Sequence, residues 1–449
     1  MAAVLVAVTA CYHVASFDLD GDPGADSDTD SDTDSDTDSD SDPITEEDCW
    51  QGGYEILKAS DVAALVPYPC VTGDLRISAL EGEIGAVSLP NLQWIGGSLD
   101  LGYSDLADLD GLGNLESVGV SLSLNGNSEL TSLEGLASLT SVGRLDIQAN
   151  PVLEDLDGLE KISSLKTLTV SNTINLSSLD GLDGLESVTE DLSVKSNSAL
   201  ASLEGLSSLK SVGGHVEIES NPSLASLEDL TALENIGGFS IVNNDSLSSL
   251  AGLEHLEKLG GGLSIADNQS LSTLEALESI FDFDGSITVS GNDSLSSLDG
   301  LGWATTVMDL SIRGNGSLTD ITALDGLESI GGGLEISGNP DLESLEGLEG
   351  ITSLWNSLTI EDNDSLVSLE GLNGLVSVGG SVRILDNGSL ASLEGLDALD
   401  EVGGGSLDAY QNPALPQCDA CELLWQLDDF GGDFDFYANQ PDTCSDECE

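Results

Sequence analysis

The chain has 449 residues, of which 82 are acidic and 10 basic, for a formal net charge of -72. Such a field repels nucleic acid and anionic membrane surfaces and suits cationic partners, divalent ions or simple solubility. Aromatic residues make up 4%, so any core is aliphatic, and no apolar run reaches the roughly 18 residues that a membrane-spanning helix needs.

Residues 1–10, MAAVLVAVTA, form an apolar run with the length of a signal-peptide core, although no Lys or Arg precedes it. Val8-Thr9-Ala10-Cys11 resembles a bacterial lipoprotein lipobox. That resemblance implies lipidation of Cys11 and export. The chain would then face outward from the cell envelope or outer membrane, touching the membrane only through its lipid. Residues 11–48 read as an acidic tether. Within them Asp26 to Asp42 alternates Asp with Ser or Thr, a pattern with nothing to bury and charges that repel one another into an extended chain. Asp18, Asp20 and Asp22 echo the spacing of a calcium loop but lack its glycine and its bidentate Glu, so a solvated spacer is the reading.

Residues 49–74 form an N-terminal cap. Ser60-Asp61 starts a short helix that runs to about Leu65 and is stopped by Pro67. Cys49 and Cys70 flank it and are expected to pair in an exported chain.

From residue 75 to 417 one unit recurs, complete at LEISGNPDLESLEGLEGITSLWNSL from Leu334 to Leu358. Fifteen strand anchors fall at Leu75, Leu99, Leu122, Leu145, Leu168, Leu192, Val216, Phe239, Leu263, Ile287, Leu310, Leu334, Leu358, Val382 and Leu407, spaced almost always by 23 or 24 residues. In each L-x-I the two apolar side chains share one face of a strand. Further apolar pairs, such as Leu342 with Leu345 and Leu348 with Ile351, point inward again. Each turn thus has three apolar walls, too short to be stable alone, and stacking buries them. The fold class is mainly β: a right-handed parallel solenoid of about 15 turns with disulfide-linked helical caps, too tight for long outer helices. Gly-Gly before the strand, as at Gly96-Gly97 and Gly379-Gly380, is expected to supply the dihedral freedom of a sharp corner. Five residues after most anchors stands Asn, from Asn127 and Asn150 to Asn387 and Asn412, expected to tolerate left-handed turn geometry and to bond buried backbone in neighbouring turns. Thr173 interrupts the column.

The short L-x-I strand, the S-L-x-S-L turn and the V-G-G corner make residues 49 to 418 resemble the leucine-rich-repeat superfamily, and more closely receptor L-domain-like repeats. In those repeats a Cys, a short helix and a second Cys lead into a first strand, as Cys49, Cys70, Gly73, Asp74, Leu75 and Ile77 do here. The array is longer than an L domain.

One column is acidic in eleven of thirteen turns. It runs through Asp110, Glu134, Asp157, Asp180, Glu204, Glu228, Ala251, Glu275, Asp299, Thr322, Glu346, Glu370 and Glu394. Locally, such a carboxylate suits the positive end of a single helical turn. Collectively, Glu134, Asp157, Asp180, Glu204, Glu228, Glu346, Glu370 and Glu394 are the candidates for a cation-binding strip, for calcium or a basic partner, with calcium the one candidate cofactor. The local reading is preferred. The exposed strand positions, such as Ser123, Thr169, Ser264 and Thr359, are small and polar. Neither an aromatic nor an arginine cluster marks a hot spot among them. His13, His215 and His255 lack a nucleophile partner, so no catalytic residue is assigned.

Residues 418–449 form a C-terminal cap with Cys418, Cys421, Cys444 and Cys448. Seven cysteines less a lipidated one leave six, and in an exported protein two disulfides here are preferred to zinc. Three connectivities remain open. The chain therefore reads as a non-enzymatic, lipid-anchored surface scaffold that binds an extracellular protein or glycan, with a purely structural envelope role as the alternative.

Overall fold

The computed structural model describes residues 44–78, 87–428 and 430–440. The signal and lipidation assignments at 1–11, the tether up to residue 43, and Cys444 and Cys448 lie outside the described residues.

All fifteen anchors are buried, and the L-x-I strands pair in parallel with anchors in register, as in Leu334 to Leu358 and Ile336 to Ile360. Seventeen such rungs, from Tyr54–Ile56 to Asp433–Asp435, enclose sixteen turns among the described residues. The two rungs beyond the fifteen anchors fall inside the segments assigned to caps, because neither begins with an aliphatic anchor: one begins with Tyr54, and in the other Phe434 pairs with Leu407. A second, narrower parallel ladder runs alongside, as where Ser353–Leu354 pairs with Ser377–Val378 and that with Glu401–Val402. Four longer strands, Ser117–Asn125, Ser141–Gln148, Ser211–Glu219 and Asn235–Val242, pass through the corner and belong to both ladders. The third wall is made of turns. Leu342, Leu345, Leu348 and Ile351 are fully buried there, and one apolar cluster runs unbroken from Ile56 to Leu427.

Inside this core lies a polar spine. Asn127, Asn150 and the ten column residues from Asn197 to Asn412 are at most 1% exposed. A buried amide is tolerable only when hydrogen-bonded. From Asn197 to Asn412 each backbone N–H donates to the side-chain oxygen of the Asn one turn on, at 3.0–3.2 Å. The amide nitrogen donates back to a strand carbonyl of the preceding turn, as Asn292 Nδ2 does to Ile265 at 2.9 Å. The column ends on Asn439, which accepts from Asn412 at 3.1 Å.

Two backbone expectations are corrected. The left-handed residue is not the Asn but the one before it: Tyr103, Ala149, Asn172, Ser196, Ser220, Asn243, Asp267, Asp362, Asp386 and Gln411 have φ between 52° and 59°. That residue reverses the chain out of the strand, so that the following Asn points inward. The corner glycines, in turn, have no positive φ at Gly96, Gly213, Gly237 or Gly379. They are required by space, because a Cβ on Gly213 would run into the Thr189 carbonyl of the turn below. In the corner positive φ does occur at Gly405 (116°), and it recurs at the glycine of most Glu-Gly-Leu turns, as at Gly205 (101°) and Gly371 (112°).

At the N-terminal end Cys49 is bonded to Cys70. Helix α1, Ala59–Leu65, begins where Asp61 Oδ2 accepts the N–H groups of Leu57 and Lys58 at 3.1 and 3.2 Å. Towards the other end helix α2, Gln417–Gln426, buries Ala420, Cys421 and Leu423. It is tied to the stack by Gln426 Nε2, which donates to the Leu396 and Leu399 carbonyls at 2.7 and 3.0 Å.

Candidate functional site

The acidic column opens the turns of the third wall. Asp110, Glu134, Glu228 and Glu275, with Thr322 in the same place, are the first residues of single 3-10 turns. In four of these five turns the residue two places earlier caps the start, a role not read from the sequence. Ser132 Oγ accepts the Glu134 N–H at 3.1 Å, Thr273 Oγ1 that of Glu275 at 3.2 Å, and Ser392 Oγ that of Glu394 at 2.8 Å. The signal was present as the second Ser of S-L-x-S-L. These hydroxyls satisfy a donor that has no partner inside the turn, and the adjoining carboxylate faces the positive end of the same dipoles.

Glu134, Asp180, Glu204, Glu228, Glu346, Glu370 and Glu394 are exposed, and Asp157 is half-buried. The Asp157 carboxyl is pushed above the usual carboxylate range, first by burial and then by Asp155, Asp180, Glu160 and Glu134. Its neighbours one turn to either side are among those charges, so the column is aligned. Alignment does not amount to ligation geometry: among the described residues no three His, Cys, Asp or Glu side chains converge as a metal would need.

The outer face of the main sheet carries the second and fourth residue of each rung. Its few basic groups sit among acids on adjacent rungs. Lys195 lies 2.6 Å from Glu217 and 3.6 Å from Glu219, Arg313 3.7 Å from Glu335, and Arg76 3.5 Å from Asp100. The face is not uniform, however. At its C-terminal end Tyr410 and Tyr437, 27 positions apart in sequence, stack with ring centroids 4.5 Å apart and planes 8° from parallel. Tyr437 remains 52% exposed. Its hydroxyl is held above the ordinary tyrosine range by burial, then by Tyr410, Asp435 and Asp386. The pair lies at the strand exits, outside the mid-strand positions that the sequence shows free of aromatic and arginine clusters. The register that joins the two rings depends on the terminal rung.

No protein-family model matches the chain, and no curated protein matches it in sequence. Among solved structures, a leucine-rich-repeat protein of Leptospira interrogans is 18% identical, with 80% of this chain and 92% of that chain covered and a TM-score of 0.30. The TLR13–ssRNA13 complex is 15% identical, with 86% of this chain and 87% of that one covered and a TM-score of 0.18. Likenesses this low carry no argument. The structure by itself shows a parallel β-solenoid of stacked turns, each built on the L-x-I repeat.

Elsewhere the surface is shallow. A groove of about 490 Å³ follows the glycine corner past Ser187, Ser211 and Asn235 to the Lys258–Asp282 pair, 3.4 Å apart. His215 donates only its backbone N–H, to Asp191 Oδ1 at 2.8 Å, and His255 is exposed. Neither ring is hydrogen-bonded to a described nucleophile. Cys418 and Cys421 are both disulfide-bonded.

Proposed function

We propose that this chain is a non-enzymatic surface scaffold that binds an extracellular protein or glycan along its stacked sheet. The observation that carries the reading is the sheet's outer face: seventeen rungs in register, with small polar residues over most of its length and an exposed aromatic pair at one end. A repeat stack of this kind offers a long surface on a rigid support. The carboxylates of the third wall are spent on turn starts, and no described His is set against a nucleophile, so the geometry favours binding over catalysis. Lipid anchoring at Cys11, the tether, an outward-facing envelope location, the right hand of the coil, the L-domain-like kinship, disulfides between the two C-terminal cysteine pairs and a low-affinity calcium strip belong to the same reading. The Cys49–Cys70 disulfide supports an oxidising compartment. Protein and glycan arrays probed with the purified chain test the function: saturable retention of a defined partner is expected, and none at micromolar concentration would favour the purely structural role. Labelled fatty acid should enter the wild-type chain and not Cys11→Ser, and calorimetry to millimolar calcium should give heat that the strip requires.

A further inference from the structure

The C-terminal end of the sheet differs from the rest in charge as well as in aromatics. Every ion pair among the described residues uses a basic residue no later than Arg313. From Ile384 to Glu449 the sequence has sixteen Asp and Glu and no Lys or Arg. Asp408 and Asp435 stand opposite each other in register on the last two rungs. Asp386 lies at the strand exit of the rung before, where its backbone N–H donates to the Tyr410 carbonyl at 3.3 Å. Tyr410 and Tyr437 are thus embedded in carboxylates. Arg383, opposite Asp408 in register one rung earlier, is the nearest cation, and it forms no ion pair with these carboxylates among the described residues. In the middle of the sheet, Glu217 and Glu219 have Lys195.

We propose that the Tyr410–Tyr437 stack, with Asp386, Asp408 and Asp435, is a docking surface for a cationic side chain, arginine above all, carried on a basic polypeptide segment. Arginine fits for two reasons. Its guanidinium is flat, so it can extend a ring stack by lying on the exposed face of Tyr437, and its N–H fork reaches carboxylates beside the ring. The carboxylates supply long-range attraction and the aromatic face supplies the local contact. Without the ring, the same charges would attract any cation without placing it.

This inference rests on the scaffold reading and names one partner class for one end of the face. Its test is fluorescence anisotropy of labelled hexa-arginine with the purified full chain at 150 mM salt. Saturable binding is expected. Tyr437→Leu, which leaves the charge unchanged, should weaken it about 3- to 30-fold. Tyr437→Phe, which keeps the ring, should stay within about twofold, as should Glu370→Gln on the remote acidic column. Circular-dichroism melts matching wild type establish that each variant is folded. Absence of saturable binding, a Leu variant that binds as wild type does, or a Phe variant that falls as far as Leu would overturn the proposal. If these peptides fail while an array retains some other partner, the site is wrong and the scaffold reading stands. An array with no partner removes the scaffold reading itself.

Discussion

Between Asn197 and Asn439 the buried asparagine column runs without a gap, and every amide in it has partners on both sides. Between Ser104 and Thr173 it is interrupted twice. Ser104 and Asn127 meet through a single Asn oxygen, which accepts from Ser104 N and Oγ at 3.0 and 2.7 Å, while Asn127 Nδ2 is buried without a partner. Thr173 donates its hydroxyl to the Ser171 carbonyl at 3.3 Å and offers Asn150 no amide oxygen. The leucine walls are equally buried in both stretches. Apolar stacking therefore tolerates a missing Asn, and the spine is a separate contribution laid along it.

The largest effect is expected where the spine is whole. Asn292→Ala would leave the buried Asn268 N–H without its acceptor and remove the amide donor from the Ile265 and Ser290 carbonyls, the second of which keeps the Asp267 N–H. The orphaned N–H costs about 1–3 kcal/mol and each lost carbonyl bond about 1 kcal/mol, so a loss of about 4 kcal/mol is expected. Asn127→Ala removes an amide that is already half idle and should cost about 2 kcal/mol. Urea unfolding of the two variants checks the difference, and equal losses would show that the interruption has no energetic meaning. The converse substitution, Thr173→Asn, supplies the missing oxygen and amide and should stabilise the chain by about 1 kcal/mol. Protection of the Asn150 amide in hydrogen exchange should rise with it.

Much of this was legible beforehand. An L-x-I pair repeating at 23 or 24 residues admits few solutions besides a parallel stack, and all fifteen anchors sit in it. Inward-pointing Asn followed from its period. The terminal rung did not, because DFDFYAN from Asp433 to Asn439 has Phe where the repeat has Leu or Ile. Phe434 nevertheless keeps the five-residue spacing to Asn439, and without that rung the Tyr410–Tyr437 stack could not be foreseen. Ala304 was illegible for another reason. It fills a position that other turns give to Leu or Ile, and Trp303 packs against the core edge-on to Phe283 at 4.9 Å, a compensation in volume that only packing reveals. The left-handed column was assigned one residue late, since Asn is the usual suspect for that conformation and here it has another task.

That displaced column gives a smaller test, shared by both stretches. Ala149 and Ser196 have φ of 53° and 55°, a conformation that costs an L residue about 1–2 kcal/mol. Part of the relief from glycine is offset by the freedom it adds to the unfolded chain. Ala149→Gly and Ser196→Gly should each stabilise by about 0.5 kcal/mol in thermal melts. A response at one and not the other would tie strain to the state of the spine.

The smallest effect concerns charge, and it too pairs the two stretches. Asp157, on the acidic column beside the interrupted spine, is held above the ordinary carboxylate range by burial and by its acidic neighbours. Asp362, at a left-handed position of the continuous stretch, is raised likewise, by burial and then by Asp386 and Asp364. A carboxyl raised in the folded state binds its proton more tightly there than in the unfolded chain. It favours folding below the ordinary Asp range, near pH 3.9, and that stability is lost as pH rises through the raised folded value. Asp157→Asn and Asp362→Asn should therefore raise the melting temperature at pH 7. The gain should vanish below about pH 3.5, where the wild-type carboxyls are protonated in both states. Added salt should shrink the part due to neighbouring charges and leave the part due to burial. Equal gains at the two sites would make charge crowding a property of the whole stack, indifferent to the spine. A gain at Asp157 alone would mean that the turns beside the break cannot relax away from their own column.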